Sequence, residues 1–337
     1  MSATLPDANT APVTLADIEA AAERLREIAT RTPLLESAAL SRRLGGRVLV
    51  KAEGLQPVGS FKIRGAYNLI CQLPGAVRER GVVAFSSGNH AQAVAAVAAM
   101  FRIPCTIVMP KDAPTLKIEG TRSRGATIVF YNRLRDDRES IGRRLADERG
   151  ATLVPPFDDP NIIAGQGTVG LEIVEDCKRR DVFADLVLAP CSGGGLVAGV
   201  ATAVKAHWPA TEVVACEPEH YDDTARSLAA GRRVANDTTA PSICDALMAN
   251  TPGRITFAIN RALLSGAVAV SDRWVLAAMK TAMAEMELIA EPSGAVGLAA
   301  LLSGAITLNG RTAVVVLSGS NVEERLLAGA LAAPDPT

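Results

Sequence analysis

The sequence predicts an α/β protein built from two open, doubly wound parallel sheets. Two series of short apolar segments alternate with helical segments along the chain. The first series predicts strands at residues 82–85, 104–109, 127–130 and 152–154, and helices at 89–101, 114–123 and 136–148. The second series predicts strands at residues 185–189, 212–216, 267–270 and 312–317, with helices between them. Such regular alternation is typical of parallel sheets covered by helices on both faces.

These two series indicate two domains. We predict a small domain over residues 81–157, and a large domain formed by residues 1–80 together with residues 158–337. Ligands of open parallel sheets bind beyond the carboxyl ends of the strands. Polar turns follow three of the predicted strands, so we expect a ligand in the cleft between the two domains.

The N-terminal elements precede the regular pattern. We predict a loose tail over residues 1–13. Thr14 should cap an amphipathic helix that runs to about residue 29, with Asp17 completing a capping box. A second short helix is expected at about residues 36–44, and a strand at residues 47–52.

The composition limits the partners and the location of the chain. The 337 residues are 48% hydrophobic and 21% charged, and the net charge is −1, so neither nucleic acid nor a membrane is expected as a partner. The first dozen residues do not resemble a signal peptide. Six cysteines lie far apart in the sequence, which favours free thiols in a reducing cytoplasm.

Lys62 is the first candidate for chemistry. It lies between Phe61 and Ile63, directly after the turn Gly59-Ser60. Burial of a lysine disfavours its charged form and lowers its pKa, and a neutral amine is the form that makes Schiff bases. The alternative is a solvated lysine on a polar helix face.

Two later turns add to this observation. Residues 86–92 and residues 190–196 each follow an apolar run and open a helical run. The second turn contains Gly193, Gly194 and Gly195, whose backbone could bind a phosphate at the start of a helix. The alternative is a glycine-rich turn that packs a helix against a strand. A reactive lysine, a phosphate loop and a polar turn together suggest pyridoxal phosphate (PLP) as cofactor.

Four motifs identify a family resemblance: Ser60-Phe61-Lys62-Ile63-Arg64-Gly65-Ala66, Ser87-Gly88-Asn89-His90-Ala91-Gln92, Gly193-Gly194-Gly195-Leu196 and Glu291-Pro292-Ser293-Gly294-Ala295. With them, the chain resembles the serine/threonine dehydratases, a family that includes serine racemases and 3-hydroxyaspartate dehydratases. These are PLP enzymes of the tryptophan-synthase-β fold type, also called fold type II. The matches keep the family's order over nearly the whole chain. The resemblance implies that the large domain binds PLP in the cleft.

The resemblance also implies roles for single residues. Lys62 would form the Schiff base and remove the Cα proton, and Phe61 would pack on the cofactor or simply belong to the core. The phosphate loop would be Gly193 to Gly195 with Leu196, and Ser192, which replaces the first of four family glycines, could donate its hydroxyl. Asn89 would bond the ring hydroxyl, cap a helix, or do both. Ser318 would face the pyridine nitrogen.

Substrate contacts follow from the same comparison. The resemblance places the substrate against the turn formed by Ser86, Ser87, Asn89 and His90. Ser87 matches the serine of racemases, where a hydroxyl opposite the lysine could exchange a proton with Cα. The alternative is a turn serine that bonds the backbone. Arg133, Arg135 and Arg138 lie in one charged run, for which the alternative is a solvated face. Of these, Arg138 could pair with a second substrate carboxylate.

A cation site is also implied. Glu217, Asp223 and the backbone carbonyl of Tyr221 match the divalent-cation site of the racemase-like members and would supply oxygen ligands to Mg²⁺, Mn²⁺ or Ca²⁺. The alternative is an acidic cluster that caps a helix.

The predicted activity is that of a PLP-dependent dehydratase, or ammonia-lyase. L-threonine or L-serine, a small-molecule hydroxy amino acid, would lose water through an aminoacrylate intermediate and give a 2-oxo acid and ammonia. Dehydration of 3-hydroxyaspartate and racemisation of serine are the alternatives within the family. A protein that binds PLP or an amino acid without turnover is the alternative outside it. The family also leads us to expect a homodimer.

Overall fold

The computed structural model describes residues 12–133, 135–237, 239–334 and 336. The tail predicted over residues 1–13 lies outside the described residues except for Pro12 and Val13. Val13 is buried against Ile18 of the first helix, so the chain is already packed at that point.

The described strands are numbered in chain order: β1 (Leu34–Glu36), β2 (Arg47–Ala52), β3 (Val82–Phe85), β4 (Cys105–Pro110), β5 (Thr127–Tyr131), β6 (Thr152–Leu153), β7 (Leu186–Pro190), β8 (Glu212–Pro218), β9 (Gly266–Val270) and β10 (Thr312–Leu317). They form two sheets. A six-stranded sheet has the order β1-β2-β10-β7-β8-β9, and a four-stranded sheet has the order β5-β4-β3-β6. All pairs are parallel except β1 with β2.

The described α-helices are α1 (Leu15–Leu25), α2 (Ala38–Leu44), α3 (Lys62–Ile70), α4 (Gly75–Arg78), α5 (Asn89–Phe101), α6 (Thr115–Arg122), α7 (Arg138–Arg149), α8 (Pro160–Arg179), α9 (Gly195–His207), α10 (Asp223–Ala230), α11 (Arg254–Leu263), α12 (Asp272–Met286), α13 (Pro292–Leu302) and α14 (Glu324–Ala332). Short 3₁₀ turns lie at Glu53–Leu55 and Asp245–Leu247. No helix among the described ranges has both the length and the apolar character needed to span a bilayer.

The fold class agrees with the prediction, and three N-terminal details differ. Thr14 caps α1 and forms the expected capping box with Asp17, but the helix ends at Leu25 and the chain then turns. The segment predicted as helix from residue 36 begins with the end of β1, and α2 starts only after its N-cap Ser37. β1 was not predicted, and it adds an antiparallel edge to the six-stranded sheet.

Helix α3 joins the two sheets. Its apolar residues Ile63, Ala66 and Ile70 pack in the same core cluster as β3 and β4 of the four-stranded sheet. Helix α3 also packs on α8, whose N-terminus is capped by Asp159 and which in turn packs on α9 over the six-stranded sheet. The first residue of α3 is Lys62, so this lysine is held at the junction of the two sheets. The domain boundaries at residues 81 and 157 stay a prediction.

Candidate active site

A cleft that is partly open to solvent lies where the two sheets meet. The turns that follow β3, β7 and β10 all open into it. It brings together every candidate for cofactor or substrate binding named from the sequence: Phe61, Lys62, Ser86, Ser87, Asn89, His90, Arg138, Ser192, Gly193, Gly194, Gly195, Leu196 and Ser318. The candidate cation ligands lie outside this cleft.

Lys62 is surrounded largely by protein and has no carboxylate partner among the described residues. Its Nζ donates to the carbonyl of Pro156 at 2.7 Å and lies 5.1 Å from the ring centroid of Phe61. Burial lowers the pKa of Lys62 from 10.5 to about 8. The alternative of a solvated lysine on a polar helix face is therefore wrong, and the amine is partly neutral near physiological pH.

His90 lies close enough to Lys62 for the lysine charge to affect its pKa. Burial, and then the nearby charge of Lys62, lower the pKa of His90 to about 3, so its ring is neutral. Nε2 lies 3.0 Å from the carbonyl of Val154, which fixes the proton on that nitrogen. Nδ1 is buried and has no hydrogen-bond partner among the described residues. It is therefore an acceptor in the cleft wall.

The two serines of the first turn differ in their hydrogen bonds. Ser86 Oγ accepts from the backbone N–H of Gly88 at 3.1 Å, as a turn serine does. The half-buried hydroxyl of Ser87 has no hydrogen-bond partner among the described residues and lines the cleft. The turn-serine alternative therefore applies to Ser86 and is wrong for Ser87.

Asn89 is the first residue of α5, and its amide is held from two sides. The N-cap is Gly88, so the helix-cap alternative for Asn89 is wrong. Its Nδ2 donates to Glu291 Oε1, and its Oδ1 accepts from Asn321 Nδ2 at 2.9 Å. One N–H of the amide is left for a group in the cleft.

The glycine loop after β7 has the form of an anion site. Helix α9 begins at Gly195 without a side-chain cap, so its first backbone N–H groups have no acceptor within the helix. Gly194 has a φ of +95°, which favours glycine. Helix α11 holds the loop from behind, because Thr256 Oγ1 donates to the Gly193 carbonyl at 2.6 Å. Ser192 Oγ accepts from Ala249 N at 3.1 Å and keeps its own proton to donate.

The candidate cation ligands Glu217 and Asp223 are buried together at the carboxyl end of β8. Burial, and then the charge of Asp223, raise the pKa of Glu217 to about 8, and burial raises that of Asp223 to about 7. The Glu217 carboxylate accepts from Thr224 N and Ala225 N at 2.9 Å each, as the helix-capping alternative predicts. Asp223 Oδ2, however, is buried without a partner among the described residues.

The chemistry of this pair fits a cation. Two buried carboxyl groups, one with an unsatisfied oxygen, offer hard ligands, and neither forms an ion pair in the described part of the chain. No three His, Cys, Asp or Glu side chains converge in the described ranges, so further ligands would be backbone oxygens such as that of Tyr221. Whether an ion binds stays a prediction.

The three arginines of the charged run lie in different surroundings. Arg135 is exposed, and Arg133 pairs with Asp112 at 3.2 Å. Arg138 lies in the cleft wall, its guanidinium 5.8 Å from the ring centroid of Phe85. It has no carboxylate within ion-pair distance among the described residues. The solvated-face alternative therefore describes Arg135 and not Arg138.

Two ionic clusters near the site were not found from the sequence. Beneath α3, the buried guanidinium of Arg64 pairs with Glu53 at 2.8 Å and Glu172 at 2.6 Å. Arg64 is part of the lysine motif and has apolar neighbours, a signal that could have indicated a structural role. The second cluster contains Lys117, Asp245 and Glu291 and joins distant parts of the chain. Of these three residues, only Glu291 belongs to a motif recognised in the sequence.

These observations define a class of protein. One cleft between the two sheets contains three features. They are the desolvated lysine Lys62, the glycine loop at the uncapped start of α9, and the neutral hydroxyl of Ser318. This set matches what PLP needs: an amine for its aldehyde, backbone donors for its phosphate and a partner for its ring. The cleft is that of a fold type II PLP enzyme.

The comparisons with known proteins agree. The chain belongs to the family of pyridoxal-phosphate dependent enzymes, whose model matches residues 25–319. It is 41% identical over 307 residues to an L-threo-3-hydroxyaspartate ammonia-lyase of Pseudomonas sp, a match that covers 91% of this chain and 95% of the relative.

Two solved structures have the same fold. A threonine deaminase of T.th. is 42% identical with a TM-score of 0.87, and the match covers 92% of this chain and 99% of that one. A maize serine racemase is 35% identical with a TM-score of 0.88, and the match covers 95% and 97%. The predicted family, fold class and cofactor are confirmed, as is the class of PLP-dependent dehydratase.

Proposed function

We propose that this dehydratase acts on 3-hydroxyaspartate and releases oxaloacetate and ammonia. In this reaction the Cα–H and Cβ–OH bonds break, water leaves, and the resulting enamine tautomerises to an imine that water hydrolyses. The observation that carries the proposal is the position of Arg138 in the cleft wall without a carboxylate partner among the described residues. The 41% identical relative named for the same substrate supports it.

Individual residues of this chain would have the following roles in the reaction. When bound, PLP supplies an electron-withdrawing ring system that makes the Cα proton of an attached amino acid acidic. Lys62 would hold the cofactor and, once released, take this proton, because burial favours its neutral form. The glycine loop would bind the phosphate, Asn89 the ring hydroxyl and Ser318 the ring nitrogen. Phe61 and Leu196 would pack beside them.

Arg138 would select the substrate. The turn from Ser86 to His90 offers the start of α5 to the α-carboxylate, which every amino acid substrate carries. A second carboxylate needs its own cation, and a guanidinium binds a carboxylate through two parallel hydrogen bonds. Arg133 is already paired with Asp112, so among the three arginines of the run only Arg138 lines the cleft without such a partner in the described ranges.

The test compares Arg138→Met with Arg135→Met, whose side chain is exposed outside the cleft. We expect Arg138→Met to lower kcat/KM for L-threo-3-hydroxyaspartate about 10- to 100-fold, the effect of losing hydrogen bonds to a charged group. The kcat/KM for L-serine should stay within about threefold of the wild-type value, and Arg135→Met should change neither. An equal loss for both substrates in Arg138→Met would refute this role.

The second candidate is action on L-serine or L-threonine, including racemisation of serine. It is favoured by the Ser87 hydroxyl, which lines the cleft without a partner among the described residues and could exchange a proton with Cα. Chiral analysis of the serine recovered from L-serine tests it. D-serine that forms with the wild type and disappears in Ser87→Ala, while pyruvate release persists, would support racemisation. Absence of D-serine would exclude racemisation, and absence of pyruvate and 2-oxobutyrate would exclude dehydration of L-serine and L-threonine.

We propose further that Glu217, Asp223 and the Tyr221 carbonyl hold a divalent cation, supported by the Asp223 Oδ2 atom, which has no partner in the described part of the chain. We also propose that residues 81–157 form the small domain, and residues 1–80 with 158–337 the large, PLP-binding domain. A homodimer is proposed on the family resemblance, and light scattering tests it. A cytoplasmic location is proposed because all six cysteines are free thiols, and fractionation tests it.

A further inference from the structure

A buried ammonium group lies behind the cleft and belongs to Lys117 of α6. Its Nζ lies 2.8 Å from Asp245 Oδ2 and 3.2 Å from Glu291 Oε2. The side chain of Lys117 is 3% exposed and that of Glu291 is 1% exposed. Removing both charges of such an ion pair from water is costly, so a buried pair forms only where its hydrogen-bond geometry offsets that cost.

The cluster connects the two sheets. Helix α6 connects β4 to β5 of the four-stranded sheet along the chain. Glu291, in contrast, directly precedes α13, which packs on the six-stranded sheet. Asp245 and Glu291 both line the cleft. The ion pairs of Lys117 therefore hold one wall of the cleft against the other.

The lysine stem also touches the substrate turn. A Cβ placed on Gly88 would lie 2.3 Å from Lys117 Cδ, so the turn and the stem are in direct contact. Because Gly88 has no side chain, the Lys117 stem can approach its backbone this closely. The stem of Lys117 thus fills the room behind the residue that precedes Asn89.

A chain of hydrogen bonds connects Lys117 through Glu291 to the amide of Asn89. Lys117 bonds one oxygen of Glu291, and the other oxygen accepts from Asn89 Nδ2. Asn321 Nδ2 donates to Asn89 Oδ1 at 2.9 Å, which fixes the opposite side of the amide. Burial raises the pKa of Glu291, and the neighbouring ammonium of Lys117 opposes that shift.

We propose that Lys117 is a positioning residue for the cofactor: its ammonium binds one oxygen of Glu291, and the other oxygen of Glu291 orients the Asn89 amide toward the cleft. Lys117 does not line the cleft and contacts no reacting atom. The inference rests on the proposed role of Asn89 toward the cofactor's ring hydroxyl and does not depend on which amino acid is the substrate.

The experiment measures PLP binding and the absorption spectrum of the bound cofactor in four variants: Lys117→Met, Glu291→Gln, the double variant, and Asn89→Ala. Lys111→Met, an exposed lysine just before α6, is the matched control. Urea unfolding of each cofactor-free protein shows whether the variant folds. Asp245→Asn, which removes only the more exposed carboxylate, serves if Lys117→Met does not fold.

We expect Lys117→Met to raise the dissociation constant of PLP about tenfold. It should also shift the ratio of visible to near-ultraviolet absorption in the direction that Asn89→Ala does. The double variant should bind PLP better than the sum of the single losses predicts, because no unpaired buried carboxylate remains. Asp245→Asn should shift both readouts the same way by less.

Three results would overturn the inference, and the first two separate the role of Asn89 from that of Lys117. If Asn89→Ala changes neither readout, the proposed role of Asn89 is wrong and the inference fails with it. If Asn89→Ala changes both readouts while Lys117→Met behaves like Lys111→Met, the role of Asn89 stands and the positioning by Lys117 is wrong. Additive effects in the double variant would also contradict it.

Discussion

Replacing Lys62 by methionine should stabilise the cofactor-free protein. The ammonium of Lys62 is desolvated in the cleft wall, and no carboxylate among the described residues compensates it. Burial lowers its pKa from 10.5 to about 8. Methionine has a similar length and no charge, so the variant removes the cost of desolvation while it keeps the packing against Phe61.

The magnitude follows from the shift in pKa. A difference of 2.5 pKa units corresponds to about 3.4 kcal/mol. Solvent in the open cleft screens part of this, and the Pro156 carbonyl loses its donor, so we expect a net gain of about 1–2 kcal/mol. Because the folded pKa is the lower one, the cost is fully present below pH 8 and disappears as the pH rises toward 10.5.

The assay is urea unfolding of the cofactor-free wild type and Lys62→Met between pH 7 and pH 10.5. The variant should be more stable at pH 7, and the difference should shrink toward zero at the upper limit, because only the wild type gains stability with pH. Lys111→Met, with an exposed lysine, should show no such trend. If Lys62→Met is less stable than the wild type at pH 7, or if the difference does not change with pH, the lysine is not desolvated.

Two further predictions concern the buried charges. With EDTA, the wild type should lose thermal stability as the pH rises from about 4.5 to 8, because burial raises the pKa of Glu217 and Asp223 and the unfolded state ionises first. Mg²⁺ should restore it in the wild type and not in Glu217→Gln; an equal response of both proteins would contradict a cation site here. Arg64→Met should cost about 3–5 kcal/mol in urea unfolding, because it leaves the Glu53 carboxylate buried and unpaired. Arg64→Met with Glu53→Gln should cost clearly less, and an equal cost would show that lost packing, not charge, is responsible.

The strands could be predicted closely because their signal is local. Continuous runs of β-branched and aliphatic residues between turn residues gave β2, β3 and β10 with the bounds that the structure has. β1 was missed because it has three residues, too few for a pattern, and its antiparallel pairing depends on β2. The end of α1 was misplaced because the apolar spacing continues to Ile28, which packs beside the four-stranded sheet from a turn.

For the site, too, local features could be predicted from the sequence and contacts between distant residues could not. Lys62 and the glycine loop belong to short motifs, so their place in one cleft could be predicted. The contacts of Asn89 could not, because its partners Glu291 and Asn321 lie more than 200 residues away along the chain. Lys117 is 174 residues from Glu291 and has no motif around it, and only the folded chain brings the two together.

The most direct test of the account asks where the cofactor is attached. The PLP-loaded protein is reduced with borohydride, digested and analysed by mass spectrometry. The account predicts one phosphopyridoxyl group per chain, on the peptide that contains Lys62, and its loss in Lys62→Met. A label on Lys51 or Lys117, which are buried in ion pairs, or no label at all, would contradict it.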